Sequence, residues 1–274
     1  MVKNLLPETL EDALTIYFGQ PELVPYSGGT DIMVGSSCED KNFLFINRIP
    51  ELKQIRLDNE FIRFGSACTF TEVIENDLTP TILKEACKKI AAPAIRNVGT
   101  IGGNIANGSA KADSALIFMV TNSLLRLQAH GSERILPLRD FYIGRSKTAI
   151  KQGELISEIL MPKQNLDNYY YEKVGARKAL SISRVSFAAI LDVSDDIIRN
   201  CATAFGAVSD VILRPSEIDN MLIGKSIKEA KAIKSTYIAT LDKAIVPRSG
   251  RVSIEFRKDV CMNLISDFLE SNGI

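Results

Sequence analysis

Residues 92–113, APAIRNVGTIGGNIANGSAKAD, set Gly99, Gly102 and Gly103 among few charges, between two segments of helical character. Backbone without side chains can take φ > 0 and come close to a ligand. Successive free N–H groups in such a bend form a concave anion nest. A second turn of this kind, Ser27-Gly28-Gly29-Thr30-Asp31, lies near the start of the chain. Two such bends suit a ligand with two phosphates better than one simple loop does. Neither bend is a standard dinucleotide fingerprint. G-x-G-x-x-G after a strand and G-x-x-x-x-G-K-[ST] are both absent, which excludes a Rossmann or P-loop reading on spacing.

The elements around these bends follow from periodicity and caps. Leu10, Ala13, Leu14 and Tyr17 give a helix over 9–18, opened by Thr9-x-x-Asp12. Strands are expected at 22–27 and 43–47, and a hairpin over 55–66 with Asp58-Asn59 at its turn. Thr69-x-x-Glu72 is a capping box, 79–92 an amphipathic helix ending at Pro93, and 112–125 a largely buried helix. The 92–113 stretch itself reads as a loop packed inward, because Val98, Ile101, Ile105 and Ala106 are apolar. Residues 124–138 form a hairpin about Gly131, 154–162 a strand, and the polar run 163–168 a boundary. Beyond it, strands at 169–177, 186–193 and 202–211 precede three helical stretches, which predicts a sheet with helices packed on one face.

Composition removes several function classes. Lys plus Arg and Asp plus Glu are 33 each, so there is no basic excess for a nucleic-acid surface. No apolar run has the length of a membrane span, and acidic residues near the N-terminus argue against a signal peptide. A cytoplasmic protein is the expectation. Five cysteines at 38, 68, 87, 201 and 261 form no C-x-x-C pair and are expected to be small buried hydrophobes. The single histidine, His130, reads as a turn residue, so no histidine-based catalysis or metal site is expected.

Three segments in order, SGGTDIMVG (27–35), IRNVGTIGGNIANGSAKAD (95–113) and YEKVGARKALSISRVSFAAI (171–190), resemble the FAD-binding subunit of the molybdenum hydroxylases, the xanthine dehydrogenase and carbon monoxide dehydrogenase family. The resemblance implies an α+β fold. A two-lobed FAD-binding domain of the vanillyl-alcohol-oxidase type would span 1–164, with lobes of about 1–52 and 53–164. A C-terminal domain of the molybdopterin dehydrogenase flavoprotein type would span 165–274, with a sheet packed on helices. It further implies FAD contacts from Pro25, Tyr26, Ser27, Gly28, Gly29, Thr30, Asp31 and Ile32, and from Thr100, Ile101, Gly102, Gly103 and Asn104. Asp113 is implied as a further polar contact, Ile156 as an apolar contact to the flavin ring and Lys173 as a cofactor-contacting lysine. Many members read SPAGD where this chain reads SAKAD (109–113), so the local loop shape departs from the pattern.

On the residues alone, Gly-Gly-Thr-Asp also serves as a plain strand-to-helix turn, and Lys173 as a solvated strand residue. By resemblance the chain is an FAD-binding electron-transfer subunit of a heteromeric molybdenum hydroxylase. It would pass electrons from 2Fe-2S clusters through FAD to NAD⁺ or another acceptor, with molybdopterin and the clusters held by partner subunits. Two alternatives stay open. One is a stand-alone flavin oxidase or reductase drawing on Tyr142 and the Tyr169–Tyr171 run. The other is a non-catalytic nucleotide-binding subunit. Arg177, Arg184, Arg248, Arg251 and Arg257 are read as solvated, capping or partner-facing.

Overall fold

A computed structural model describes residues 4–34 and 41–274; Gly35, which ends the first motif, and Cys38 lie outside the described residues. Helix α1 (Leu10–Gly19) starts at Thr9, whose Oγ1 accepts from Asp12 N at 3.1 Å, and buries Ala13 and Leu14. Strands β1 (Val24–Tyr26) and β2 (Phe43–Phe45) pair in parallel. Together with Leu52 and Ala67 they enclose a small core of Leu14, Leu23, Leu44 and Ile49. The first glycine turn leaves the C-terminal end of β1.

The next segment runs β3 (Ile55–Leu57), β4 (Phe61–Gly65), α2 (Phe70–Glu75), α3 (Thr81–Lys88), α4 (Pro93–Arg96), α5 (Ile101–Ala106) and α6 (Asp113–Val120). It continues through β5 (Leu124–Ala129), β6 (Ser132–Pro137), α7 (Leu138–Phe141), β7 (Tyr142–Gly144), β8 (Lys147–Thr148) and β9 (Leu155–Pro162). Asp58 Oδ1 accepts from Glu60 N and Phe61 N and closes the first hairpin. His130-Gly131 turns the second, with Gly131 at φ +70°. Thr69 and Glu72 cap α2 reciprocally. The two hairpins do not pair with each other. β9 runs between them in the order β3-β4-β9-β5-β6, antiparallel to both neighbours. Its buried Glu158 is matched by Arg63 on β4 and Arg126 on β5, its two neighbours, and by Arg56 on β3 one strand further out.

The 92–113 stretch is not one loop. Two short helices, α4 and α5, interrupt it, with Thr100 Oγ1 accepting from Gly103 N at the start of α5. Ile101 and Ile105 are buried as expected, whereas Val98 and Ala106 face outward.

The C-terminal part is an antiparallel meander of β10 (Tyr169–Gly175), β11 (Ser183–Ser194) and β12 (Ile197–Gly206). Three helices follow: α8 (Ser216–Asp219), α9 (Ile227–Ala244) and α10 (Ile254–Ser271). The β11–β12 turn is Asp195-Asp196, both at positive φ, and the last strand lies earlier than the 202–211 expected. Phe187, Leu191 and Phe205 pack against Tyr237, Leu241 and Phe268 on α9 and α10. The opposite face is also covered, a correction to the one-sided arrangement. Ala188, Ile190, Ala202 and Ala204 join the core of α6, which is buried along its whole length. Those alanines leave room for a helix from the preceding segment to lie flat on the sheet. Cys68, Cys87, Cys201 and Cys261 are free and buried. Among the described residues no helix is long and apolar enough to cross a membrane.

Candidate functional site

The two glycine segments meet. An ideal Cβ at Gly28 would lie 2.2 Å from Val98 O and 2.9 Å from Gly99 Cα, so only glycine lets the first turn touch the second segment. Gly29 takes φ +65° with the Tyr26 ring folded over it. Beside this contact opens a cavity of about 540 Å³, in the size range of small-molecule and cofactor sites. Pro25, Ser27, Gly28, Gly29, Thr30, Asp31 and Ile32 line one wall, and Thr100, Gly102, Gly103 and Asn104 another. Ile156 closes it from β9.

The donors are not where the glycine count alone puts them. In the second segment Ile101 N donates to Cys68 O, Gly102 N to Ser66 O, Gly103 N to Thr100 Oγ1 and Asn104 N to Thr100 O. Those N–H groups are used within the protein, so the second bend is no anion nest. Gly102 serves packing instead: a Cβ there would lie 2.6 Å from Ser66 O and 2.9 Å from Ser66 Cα. None of Gly99, Gly102 and Gly103 has positive φ. In the first turn, by contrast, the N–H groups of Gly28, Gly29, Thr30 and Asp31 donate to no group among the described residues. Four successive N–H groups without a partner among the described residues, on residues that line a cavity, are an anion-binding feature. Ser27 Oγ and Ser66 Oγ, both from residues lining the cavity, are buried without a hydrogen-bond partner. Buried polar atoms left so are costly, and a polar ligand in the cavity would satisfy them.

Four candidate residues stand off the cavity wall. Tyr26 packs its ring on Phe43 and Phe45, and Ile101 is fully buried in the central core. Asp113 and Lys173 face each other: Lys173 Nζ donates to Asp113 Oδ2 at 2.7 Å and to Lys89 O at 2.8 Å. Ser183 Oγ donates to Asp113 Oδ1 at 2.7 Å. The two side chains are 8% and 5% exposed, so the pair is buried, with Asp113 pushed up by burial against the pull of Lys173 and Ser183. The pair is tied to the cavity wall through the next residue, since Ser114 Oγ donates to Asn104 Oδ1 at 2.7 Å.

Other lining residues carried no sequence signal. Ser66, Phe70, Ile150, Lys151 and Glu154 reach the cavity because the sheet and α2 pass beneath it. Glu154 is held ionised by Arg134, its carboxyl below the usual range. The four cysteines among the described residues are not activated thiols: burial pushes Cys68 and Cys261 up to about 12 and drives Cys87 and Cys201 up as well. Tyr142 and Tyr171 hydroxyls are buried and unpartnered away from the cavity, and Tyr169 donates to Glu85. The stand-alone-enzyme reading therefore gains nothing in this cavity from Tyr142 or the Tyr169–Tyr171 run; the tyrosine that lines it is Tyr17. A second cavity, about 720 Å³, is lined by Lys88, Lys89, Arg96, Lys173, Arg177 and Lys178 with Glu172 as the only carboxylate among its lining residues. It adjoins the first: Ile90 and Ile95 line one while Ala91, Pro93 and Arg96 line the other.

Comparison with known proteins gives two family-model matches. "FAD binding domain in molybdopterin dehydrogenase" matches residues 1–164, and "CO dehydrogenase flavoprotein C-terminal domain" matches 169–272. Among relatives, the xanthine dehydrogenase FAD-binding subunit of Escherichia coli O157:H7 is 28% identical over 91% of this chain and 88% of its own length. The glyceraldehyde dehydrogenase medium chain of Sulfolobus acidocaldarius is 26% identical over 92% of each. Among solved structures, the Cu,Mo-CO dehydrogenase in its cyanide-inactivated form contains a chain that superimposes with a TM-score of 0.88 at 25% identity. The match covers 98% of this chain and 96% of that one.

Proposed function

The chain belongs to the family of the FAD-binding domain in molybdopterin dehydrogenase, and from that premise we propose that it is the electron-transfer flavoprotein subunit of a molybdenum hydroxylase complex, with the flavin diphosphate held by the Gly28–Asp31 turn. FAD is its cofactor and dehydrogenation its reaction class. The observation that carries the site assignment is the row of N–H groups, unpartnered among the described residues, on the lining of a cavity that also leaves Ser27 Oγ and Ser66 Oγ without partners.

Bound FAD supplies the redox chemistry, taking and giving electrons. The chain binds, orients and shields. Gly28, Gly29, Thr30 and Asp31 present donors to the diphosphate, while Thr100 and Asn104 offer polar side chains on the facing wall. Ile156 supplies an apolar surface for the ring. Asp113 and Lys173 act as positioning residues, fixing α6 and through Ser114 the amide of Asn104. Partner subunits carry molybdopterin and 2Fe-2S clusters, and the oxidised substrate is bound there. Residues 1–164 form the FAD-binding unit, with lobes of about 1–52 and 53–164, and 165–274 the C-terminal unit. The complex works in the cytoplasm.

NAD⁺ is the acceptor. The cation-lined cavity beside the flavin cleft supports this, because a dinucleotide brings two phosphates to Lys88, Arg96, Arg177 and Lys178. The test is to purify the complex, measure flavin per chain, and follow flavin re-oxidation by NAD⁺ through the visible flavin absorbance. One flavin per chain and rapid NADH formation are expected. Absence of flavin overturns the site, and flavin re-oxidised only by other acceptors overturns NAD⁺.

A further inference from the structure

Four separate segments bring five cations to one face beside the cleft. Lys111 lies on the turn into α6, Arg145 between β7 and β8, and Arg184 at the start of β11. Arg251 precedes α10 and Arg257 sits in its first turns. The backbone holds these segments together. Ala207 N donates to Ala110 O at 2.6 Å, Arg248 N donates to Val208 O at 2.9 Å, and Arg257 Nη1 donates to Ala207 O. Gly108, at φ +64°, packs on Ser146, where a Cβ would lie 3.1 Å from the carbonyl carbon. Gly250 leaves space for the Arg257 guanidinium, since a Cβ there would lie 2.8 Å from Nη2.

No carboxylate among the described residues pairs with this charge. Among the described residues none of the five cations forms an ion pair, whereas neighbouring Arg248 is matched by Asp210 at 2.8 Å. Arg257 is buried with Nε lacking an acceptor. Desolvation and the four arginines together hold the Lys111 ammonium below the usual lysine range. The chain as a whole is neutral, so the face is a local segregation of charge rather than a general excess. Exposed apolar side chains lie alongside in sequence: Ile143 near Arg145, Ile182 near Arg184, and Ile254 and Phe256 near Arg251 and Arg257. Arginine interleaved with exposed apolar groups is the composition of protein-binding surfaces. A small anion needs one or two of these cations. The spread across four segments fits an extended acidic surface.

Position selects the partner. The face adjoins the flavin cleft at two places: Asn107, which lines the cleft, precedes Gly108, and Ile150 and Lys151 line it just after β8. Electron transfer weakens steeply with distance, so the donor has to seat against the cleft wall. Resting on the electron-transfer reading above, we propose that Lys111, Arg145, Arg184 and Arg251 form the docking face for an acid-rich surface of the iron–sulfur subunit. Complementary charge steers that encounter and fixes its orientation.

The test uses the co-expressed complex, held on a tag on this chain and washed at rising salt, with iron, molybdenum and flavin measured at each step. Wild-type complex is expected to retain iron at physiological salt and lose it progressively at high salt. The variant Arg184→Glu/Arg251→Glu should hold iron roughly tenfold more weakly, while flavin per chain stays at the wild-type level. Arg184→Gln/Arg251→Gln should fall between, and Lys231→Glu on exposed α9 should match wild type. Iron retention unchanged in both double variants overturns the docking face, as does loss of molybdenum with iron retained. A wild-type chain that carries flavin but recovers no iron overturns the electron-transfer reading itself, and the docking face with it.

Discussion

The Asp113–Lys173 pair gives the most demanding prediction. Side-chain exposures of 5% and 8% put both charges out of water, and among the described residues each is the other's only opposite charge within ion-pair distance. Replacing Asp113 by Asn leaves the Lys173 ammonium buried with only neutral carbonyl oxygens such as Lys89 O to accept from it, without an opposite charge, and with the Lys89 charge nearby. Breaking a buried pair in this way costs about 3–5 kcal/mol, or roughly 6–20 °C in Tm. Lys173→Met leaves a different remainder. Asp113 is already pushed up by burial, and without Lys173 it can discharge its cost by taking a proton. A carboxyl whose folded pKa lies above its unfolded value near 3.8 binds protons more tightly in the folded state. Stability therefore falls as pH rises above that unfolded value. The deficit of Lys173→Met should grow as pH rises above that unfolded value, whereas that of Asp113→Asn, which has no carboxyl left to titrate, does not grow with pH. The double variant should cost less than the sum of the singles by about 1–3 kcal/mol. The chain has no tryptophan, so urea unfolding is followed by far-ultraviolet ellipticity. Additive single losses below about 1 kcal/mol, or a pH-independent Lys173→Met deficit, would refute the buried-pair account.

The other predictions are briefer. Gly102→Ala sets a Cβ 2.6 Å from Ser66 O and should cost about 1–3 kcal/mol by overpacking, whereas Gly103→Ala meets only the Thr100 hydroxyl at 2.9 Å and should stay within about 1 kcal/mol of wild type; thermal melts of the two compare them. Asp58 is held at about 2 by Arg63 and two backbone N–H groups, below its ordinary value of 3.8, so its contribution is present above that value and lost as pH falls toward 2; Asp58→Asn should flatten the acid limb of the stability–pH curve there. Lys88→Glu/Lys178→Glu should raise the KM for NAD⁺ by roughly tenfold or more with flavin content unchanged, and an unchanged KM removes the basic cavity from the acceptor's path. Asp219→Ala strands Arg214 and the Thr203 and Tyr237 hydroxyls in the C-terminal core and should cost about 3–5 kcal/mol by urea unfolding.

What the sequence shows is mostly local. The Thr69–Glu72 box, the Asp58 turn and the His130-Gly131 turn each rest on contacts a few residues apart, and each element forms where those contacts place it. What it hides is made at long range. β9 enters between two hairpins because its apolar run suits burial on both faces, and nothing in 154–162 names β4 and β5 as neighbours. α5 reads as a loop since two glycines lower helix propensity, yet packing of Ile101 and Ile105 and the Thr100 cap hold it. The same glycines pointed to the correct cleft for a partly incorrect reason: Gly28 and Gly102 are required for close packing, and the free donors belong to the first turn alone. Lys173 gave no sign of Asp113, sixty residues away in sequence, because a buried lysine and a solvated strand lysine look alike on paper.

The structure of the flavin-loaded chain, at a resolution that places the diphosphate, tests the central claim most directly. The account requires the diphosphate to accept from the N–H groups of Gly28 through Asp31, with the Ser27 or Ser66 hydroxyl turned to the cofactor. A flavin diphosphate seated instead among Lys88, Arg96 and Lys178, with the Gly28 turn facing water, would contradict it.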